Sequence, residues 1–304
     1  MKDVIVIGSG FWGSAIARKL KKAGLDYTVL DNGDGHSGTR NSGAYTCLRW
    51  FDSGTILKHI PENWTKEKVR RWVTWLVKQG YLELTGQWIY NKRLKTWKRY
   101  EDCYVMRDVS RFSNRTKAIA AEVLNIEMRK DRCRVNVMRL GSPAANSFDA
   151  KYVVMATGSW TDKILERSNL PISGTTTLIG RAVLLKPNKI KLPFEWKGEV
   201  LSINTRPFKN FDLIPNAKNW WYFGATTEKE ASEKAYDEML TAAVDLVGDS
   251  AEITTVLVGF RPILDNGVRQ INDRVIVATG GGRIGLALAG PAADDVVSLI
   301  KGSY

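Results

Sequence analysis

The chain has 304 residues, 44 % of them hydrophobic, enough for one large domain or two interleaved ones with a sizeable core, and too apolar for disorder. Its 45 Lys and Arg against 32 Asp and Glu give a formal charge of +13; that is a large excess for an enzyme of free metabolites and points to a polyanion, nucleic acid or an anionic membrane surface, over a mere solubility surplus. Three widely spaced cysteines (Cys47, Cys103, Cys133) and two histidines (His36, His59) disfavour a disulfide framework, a metal site and a Ser/His/Asp triad, and favour a reducing cytoplasm.

The start, MKDVIVIGSGFWG, is not read as a signal peptide, because Asp3 sits where a basic region is needed. No run approaches the roughly 18 apolar residues of a membrane span. Val4 to Ile7 is a short continuous apolar run, the mark of a buried parallel strand. Ser14 to Lys22 has helical spacing, with Ile16, Ala17 and Leu20 on one face and Gly24 as the stop. A second strand covers Tyr27 to Leu30, completing a βαβ unit. Residues 32–47 are turn-rich. An amphipathic helix is predicted over 65–79, then two short strands over 81–90 broken at Thr85-Gly86. A helix is expected over 115–124, and strands over Arg134–Met138 and Tyr152–Ala156. Strands near 179–186, 199–204 and 220–225 imply a second, more antiparallel sheet, and Glu228 to Val247 reads as a helix. The run Arg274 to Ala278 is β-rich and leads through Gly280–Gly282 and Arg283 into a small-residue helix. The first and last segments must pair across the whole chain, so the layout is interleaved.

Gly8, Gly10 and Gly13 form a GxGxxG between strand and helix, and Asp31 follows 18 residues beyond Gly13 at the end of the next strand. Glycines there let the backbone approach a pyrophosphate at a helix N-terminus, and the acid suits a ribose hydroxyl. The pattern argues for a dinucleotide without choosing which. Near the other end, Arg261-Pro262 before a DNG turn and Arg283 beside the glycine corner offer two arginines to an anion. A core arginine paired with Asp265 is the competing reading of Arg261.

Six motifs in order carry a resemblance: GSGFWG (8–13), RNSGA (40–44), GYLELTG (80–86), VVMATGSW (153–160), FGAT (223–226) and GFRPILDNG with ATGGGRIG (259–267 and 278–285). Together they resemble the FAD enzymes of the D-amino-acid oxidase and glycine oxidase family over nearly the whole length. The resemblance implies an α/β fold, a Rossmann-type FAD-binding domain (1–50, 110–165 and 255–304) interleaved with an antiparallel-sheet substrate domain (51–109 and 166–254). It implies that FAD contacts Gly8, Gly10, Phe11, Trp12, Gly13, Asp31 and Asn32. Further contacts fall on Arg40, Asn41, Ser42, Gly43 and Ala44, on Val123, and on Ala156, Thr157, Gly158 and Trp160. Gly281, Gly282, Arg283, Ile284, Gly285 and Leu286 complete the set. Arg261 matches the family arginine that binds the substrate carboxylate; Arg261 and Arg283 are the catalytic candidates, with Tyr45 and Asp212 beside Arg261 on the substrate side. The implied chemistry is hydride transfer from Cα to flavin N5, then hydrolysis of the imine to a keto acid and an amine, which needs orientation more than a strong base. No metal is implied, and Cys47 and His36 are the only nearby residues for covalent flavin attachment. The chain departs from the family around Asn210–Pro215, where a carboxylate-holding tyrosine is missing.

Residues 61–100 hold ten basic and three acidic residues and five tryptophans (Trp64, Trp72, Trp75, Trp88, Trp97). Basic residues among aromatics suit single-stranded nucleic acid; Trp72 is read as core, and Trp75 and Trp97 as freer. One branch of the resembled family, the oxidase domain of a tRNA wobble-uridine modification enzyme, acts on a glycine attached to a pyrimidine. Phage thymine-hypermodification pathways use similar glycyl bases, so a phage-encoded enzyme acting in the host cytoplasm is compatible. The expectation is therefore oxidation of an N-linked glycine on a nucleic-acid base, DNA or RNA. An oxidase of free glycine, sarcosine or a D-amino acid, and a non-catalytic nucleic-acid-binding module, remain open alternatives.

Overall fold

The computed structural model describes residues 1–33, 38–39, 41–51, 60–91, 93–113, 117–141, 144–186, 190, 192–206, 209–215, 220–248 and 252–302. Two sheets organise them. In the first, β1 (Lys2–Ile7) lies between β2 (Tyr27–Asp31) and β8 (Ala145–Met155), parallel to both; β15 (Val275–Ala278) extends the parallel set beyond β8, and β14 (Val268–Gln270) pairs antiparallel with β15. Residues Val4–Ile7 are buried on both faces, as their unbroken apolar run requires. The helix α1 (Phe11–Lys22) covers one face, and its Ile16, Ala17 and Leu20 share a core cluster with the last helix. Strands from the first 155 residues and from the last 30 therefore meet in one sheet, as the interleaved layout requires.

The strands β6 (Ile119–Met128) and β7 (Cys133–Arg139) form an antiparallel arm with the first half of β8, and β6 also touches β2 in parallel. The helix expected over 115–124 is thus a strand. Ala121, Val123 and Ile126 are the buried positions, and a bulge between Val123 and Asn125 shifts the period-2 alternation by one. Alanine and glutamate in this segment raise helix propensity, but pairing with two neighbours decides the backbone.

The second sheet has eight strands. Taken along the chain they are β3 (Tyr45–Cys47), β4 (Glu83–Asn91), β5 (Thr96–Val105), β9 (Thr176–Lys186), β10 (Val200–Arg206), β11 (Lys209–Pro215), β12 (Trp221–Gly224) and β13 (Glu252–Ile263). In space the order is β13-β9-β12-β11-β10-β4-β5-β3. All neighbours are antiparallel except β10 and β4. The two short strands expected over 81–90 are one strand, with a register shift between Thr85 and Gln87 in place of a break. β3 and most of β13 lie in this second sheet, although the sequence division places residues 1–50 and 255–304 with the nucleotide unit.

Helix α2 (Lys66–Lys78) follows the predicted span; Thr65 caps it, accepting from the Lys68 N–H at 3.3 Å. Short helices α3 (Val109–Ser113) and α4 (Thr161–Arg167) link strands. α5 (Glu233–Val247) starts five residues later than the sequence suggests, because Ser232 caps it, accepting from Ala235 N–H. The last helix, α6 (Gly285–Gly302), buries small residues against α1 and α2. Three indoles fasten it: Trp12 donates to Gly285 O at 2.8 Å, Trp72 to Leu286 O at 2.9 Å and Trp64 to Asp295 Oδ2 at 2.7 Å. No described helix is long and apolar enough to cross a membrane.

Candidate active site

A cavity of about 530 Å³ opens between the two sheets. The ends of β1, β2 and β15, part of β6 and the turn after β8 line it from the first sheet, and β3, β9, β11, β12 and β13 from the second. Its size falls in the roughly 300–1,000 Å³ range of cofactor and small-molecule sites.

At the first sheet the chain turns sharply out of β1 into α1. Gly8 has φ +100°, and a Cβ there would lie 2.3 Å from Ala156 O. A Cβ on Gly13 would lie 1.9 Å from Gly8 O, so only hydrogen at both positions lets α1 start against the strand end. Gly10 precedes the helix without a side-chain cap, and Phe11 N–H donates to Thr39 Oγ1 at 3.1 Å. Asp31, at the end of β2, accepts from Ser9 N–H (2.7 Å), Ser9 Oγ (2.8 Å) and Gly33 N–H (2.7 Å). The carboxylate therefore braces the glycine loop as well as facing the cavity.

Most cofactor candidates line this space: Gly8, Gly10, Phe11, Trp12, Asp31, Asn32, Asn41, Ser42, Gly43, Ala44, Val123, Ala156, Thr157, Gly158, Trp160, Gly281, Gly282, Arg283, Gly285 and Leu286. Gly13 and Ile284 lie behind the lining; their part is to let the lining residues pack. Arg40 and His36 lie outside the described residues. Cys47 is fully buried, directly opposite Cys103, and does not line the cavity.

The end formed by the second sheet gathers two arginines, two tyrosines and a carboxylate. Arg261 on β13 lies over Gly180 of β9, where a Cβ would approach the guanidinium to 2.5 Å. It donates to Thr226 O at 2.7 Å and Thr227 Oγ1 at 3.1 Å and bonds Tyr222, not Asp265. Burial pulls its pKa down, reinforced by the nearby Arg283 cation and partly offset by Tyr222 and Asp212. Arg283 Nη2 stands 3.3 Å from Asp212 Oδ2. Burial alone would lower Arg283, but Tyr45, Asp212 and Tyr222 outweigh it and the net direction is up. Tyr45 donates to Asp212 Oδ2 at 2.5 Å; burial, then the Asp212 charge, push its phenol well up. Burial also raises Tyr222, against the pull of Arg261 and Arg283.

Sequence reading placed Arg261, Arg283, Tyr45 and Asp212 here, but missed Tyr222, Gly180 and Thr39. No tyrosine falls in Asn210–Pro215; Tyr222, on the next strand, bonds Arg261. The alternation Trp221-Tyr222-Phe223 in front of Gly224 was the available signal.

Residues 111–299 match the family model described as FAD dependent oxidoreductase. The chain belongs to that family. Residues 2–192, which include the glycine loop, Asp31 and β8, also match the model described as pyridine nucleotide-disulphide oxidoreductase. No curated protein matches by sequence. Solved structures with the same fold include glycine oxidase from Geobacillus kaustophilus (TM-score 0.71, 16 % identity, 99 % of this chain and 95 % of that one). Iminodiacetate oxidase from Chelativorans sp. BNC1 (TM-score 0.73, 14 %, 98 % and 95 %) and L-proline dehydrogenase from P. horikoshii (TM-score 0.73, 15 %, 99 % and 94 %) are similar too.

FAD is the cofactor of this flavoprotein family, and the residues present fit it. The glycine loop leaves the α1 N-terminus open to a phosphate group. Ser159 and Thr279 line the cavity, and their buried hydroxyls have no partner among the described residues, as expected where a polar ligand completes the set.

Proposed function

We propose that this FAD-dependent oxidoreductase oxidises a glycine-type amine whose carboxylate is held by Arg261. The observation that carries the reading is a half-buried guanidinium with no carboxylate partner among the described residues, in the cavity that also holds the glycine corner 280–285. A cation drawn partly out of water without a counter-charge is stabilised when a ligand supplies one, and a guanidinium fork fits a carboxylate with two parallel bonds. In this reading residues 1–50, 110–165 and 255–304 serve mainly the cofactor, with Tyr45 and Arg261 turned to the substrate from the second sheet, and 51–109 and 166–254 serve the substrate.

When bound, FAD supplies the acceptor for the two electrons that leave the substrate Cα with its hydrogen. The protein holds the substrate acid on Arg261 and Tyr222, which fixes how Cα is presented. Tyr222 and Tyr45 stay protonated and serve as donors. The substrate amine becomes an imine, and water converts it to glyoxylate and the free amine; the net reaction consumes one water and reduces one FAD.

The amine nitrogen is proposed to carry a nucleic-acid pyrimidine through a methylene group, so that the product is an aminomethyl base. The formal charge of +13 and the exposed basic residues Arg70, Arg71, Lys78, Arg93, Lys95 and Lys98 support this. The similar iminodiacetate oxidase supports a nitrogen-substituted glycine, since iminodiacetate is one. The tryptophans do not add to the case. All eleven are buried or half-buried, and Trp75 stacks on Trp72 while Trp97 packs on Tyr90 and Phe194. A base reaching the cavity must be single-stranded or flipped out. Mixed anaerobically with the flavin-loaded protein, an oligonucleotide bearing the glycyl pyrimidine is expected to bleach the flavin absorption. Bleaching by free glycine or sarcosine alone would leave amine oxidation standing and remove the nucleic-acid substrate.

A further inference from the structure

Arg261 and Arg283 face one cavity, yet among the described residues only Arg283 has a counter-charge. Asp212, 2 % exposed, accepts from Arg283 and Tyr45 on one oxygen and from Ser202 Oγ at 2.5 Å on the other. Ser202 in turn accepts from Gln87 Nε2 at 2.6 Å. Ties from three strands hold the carboxylate in place. Arg261 bonds only neutral groups. The other charged residues lining the cavity, Asp31, Glu122, Lys163 and Arg167, belong to β2, β6 and α4 of the nucleotide side. With both tyrosines protonated, the acid-binding end has two cations and one anion among the described residues, a surplus of a single positive charge centred on Arg261.

We propose that Asp212 is a positioning and specificity-determining residue: by neutralising Arg283 it restricts the site to one substrate carboxylate, so that nitrogen-substituted glycines with an uncharged substituent are accepted and aminodicarboxylates are refused. The choice of amine substrates rests on the oxidase reading above; the charge assignment rests on the residues alone. Arg283 is 42 % exposed and touches Asp212 through one nitrogen, so a second carboxylate could share it, but its charge is already offset by Asp212 and the acid would gain far less there than at Arg261. An uncharged substituent needs no such partner, and its distal part is free to leave through the opening.

Two ethers that cannot be oxidised as amines test this on the flavin-loaded protein: methoxyacetate, shaped like sarcosine, and oxydiacetate, shaped like iminodiacetate. Calorimetric Kd values should favour methoxyacetate in the wild type. Asp212→Asn should move the ratio toward oxydiacetate by about tenfold or more, and Asp212→Glu should restore the wild-type preference. A shift below about twofold in Asp212→Asn, or a wild type that prefers oxydiacetate, overturns the proposal. If Asp212→Asn does not fold, Arg283→Gln and Arg261→Gln decide. The proposal requires Arg283→Gln to weaken methoxyacetate by less than about threefold and Arg261→Gln by about a hundredfold; equal losses overturn it. Sarcosine and iminodiacetate are then added anaerobically. A shifted Kd ratio with flavin that stays oxidised would retain the charge assignment and defeat the oxidase reading; bleaching with an unmoved ratio would do the reverse.

Discussion

Arg261 and Arg283 are the same residue type in the same cavity, and their neighbours give them different roles. Arg261 rests on neutral acceptors and is available to an acid; Arg283 is committed to Asp212. Arg261→Gln is expected to lower kcat/KM for the amine substrate by about 10²–10³, the size expected when one partner of a buried charge pair is removed. Flavin content should stay at the wild-type level, and a variant that instead emerges colourless would place Arg261 with the cofactor. Cys133 shows a different effect of burial: its thiol is pushed up to about 11 from 9.0. Between those values the unfolded chain releases the proton and the folded chain keeps it, so stability falls as pH rises through that window. The loss approaches about 3 kcal/mol at the upper end. Urea midpoints measured from pH 8 to 11 should decline, and Cys133→Ala should flatten the decline; equal slopes in both proteins would assign the effect to other groups.

The β1-loop-α1 turn was legible because its requirement is local: glycines at 8 and 13 are forced by backbone contacts within the βαβ unit and with β8. Gly13→Val is expected to abolish flavin binding and to lower solubility, read by absorbance at the flavin band after purification. β6 was misread because its alanines and glutamate favour helix, and only the strands on either side make extension the better choice. α2 was legible as an amphipathic helix, but its Trp72 shows what pattern alone cannot supply. The ring lies against Gly290, where a Cβ would come within 2.4 Å, and its N–H reaches Leu286 O. Trp72→Ala should cost about 3–5 kcal/mol in urea unfolding. A cost below about 1 kcal/mol would mean that α2 and α6 repack around the gap.

Across the whole molecule, charge and topology act separately. The +13 excess concerns association, and the interleaved sheets concern how the site is assembled. Oxidation of a nucleic-acid-borne glycine should therefore weaken steeply between about 50 and 200 mM salt, while turnover of free sarcosine changes little. Parallel salt curves for the two substrates would trace the excess charge to solubility. Local pattern was sufficient for the parallel strands, the phosphate-binding glycines and the family motifs, because those depend on residues close in sequence or on strictly ordered short segments. The partner of Arg283, the tyrosine beside Arg261 and the burial of the tryptophans depended on elements far apart in the chain, up to 273 residues for Trp12 and Gly285, meeting in one sheet, one cavity or one helix pair. Side-chain spacing along a chain reports which face a residue occupies; what stands opposite that face is set by the packing of distant elements, and only the tertiary structure decides it.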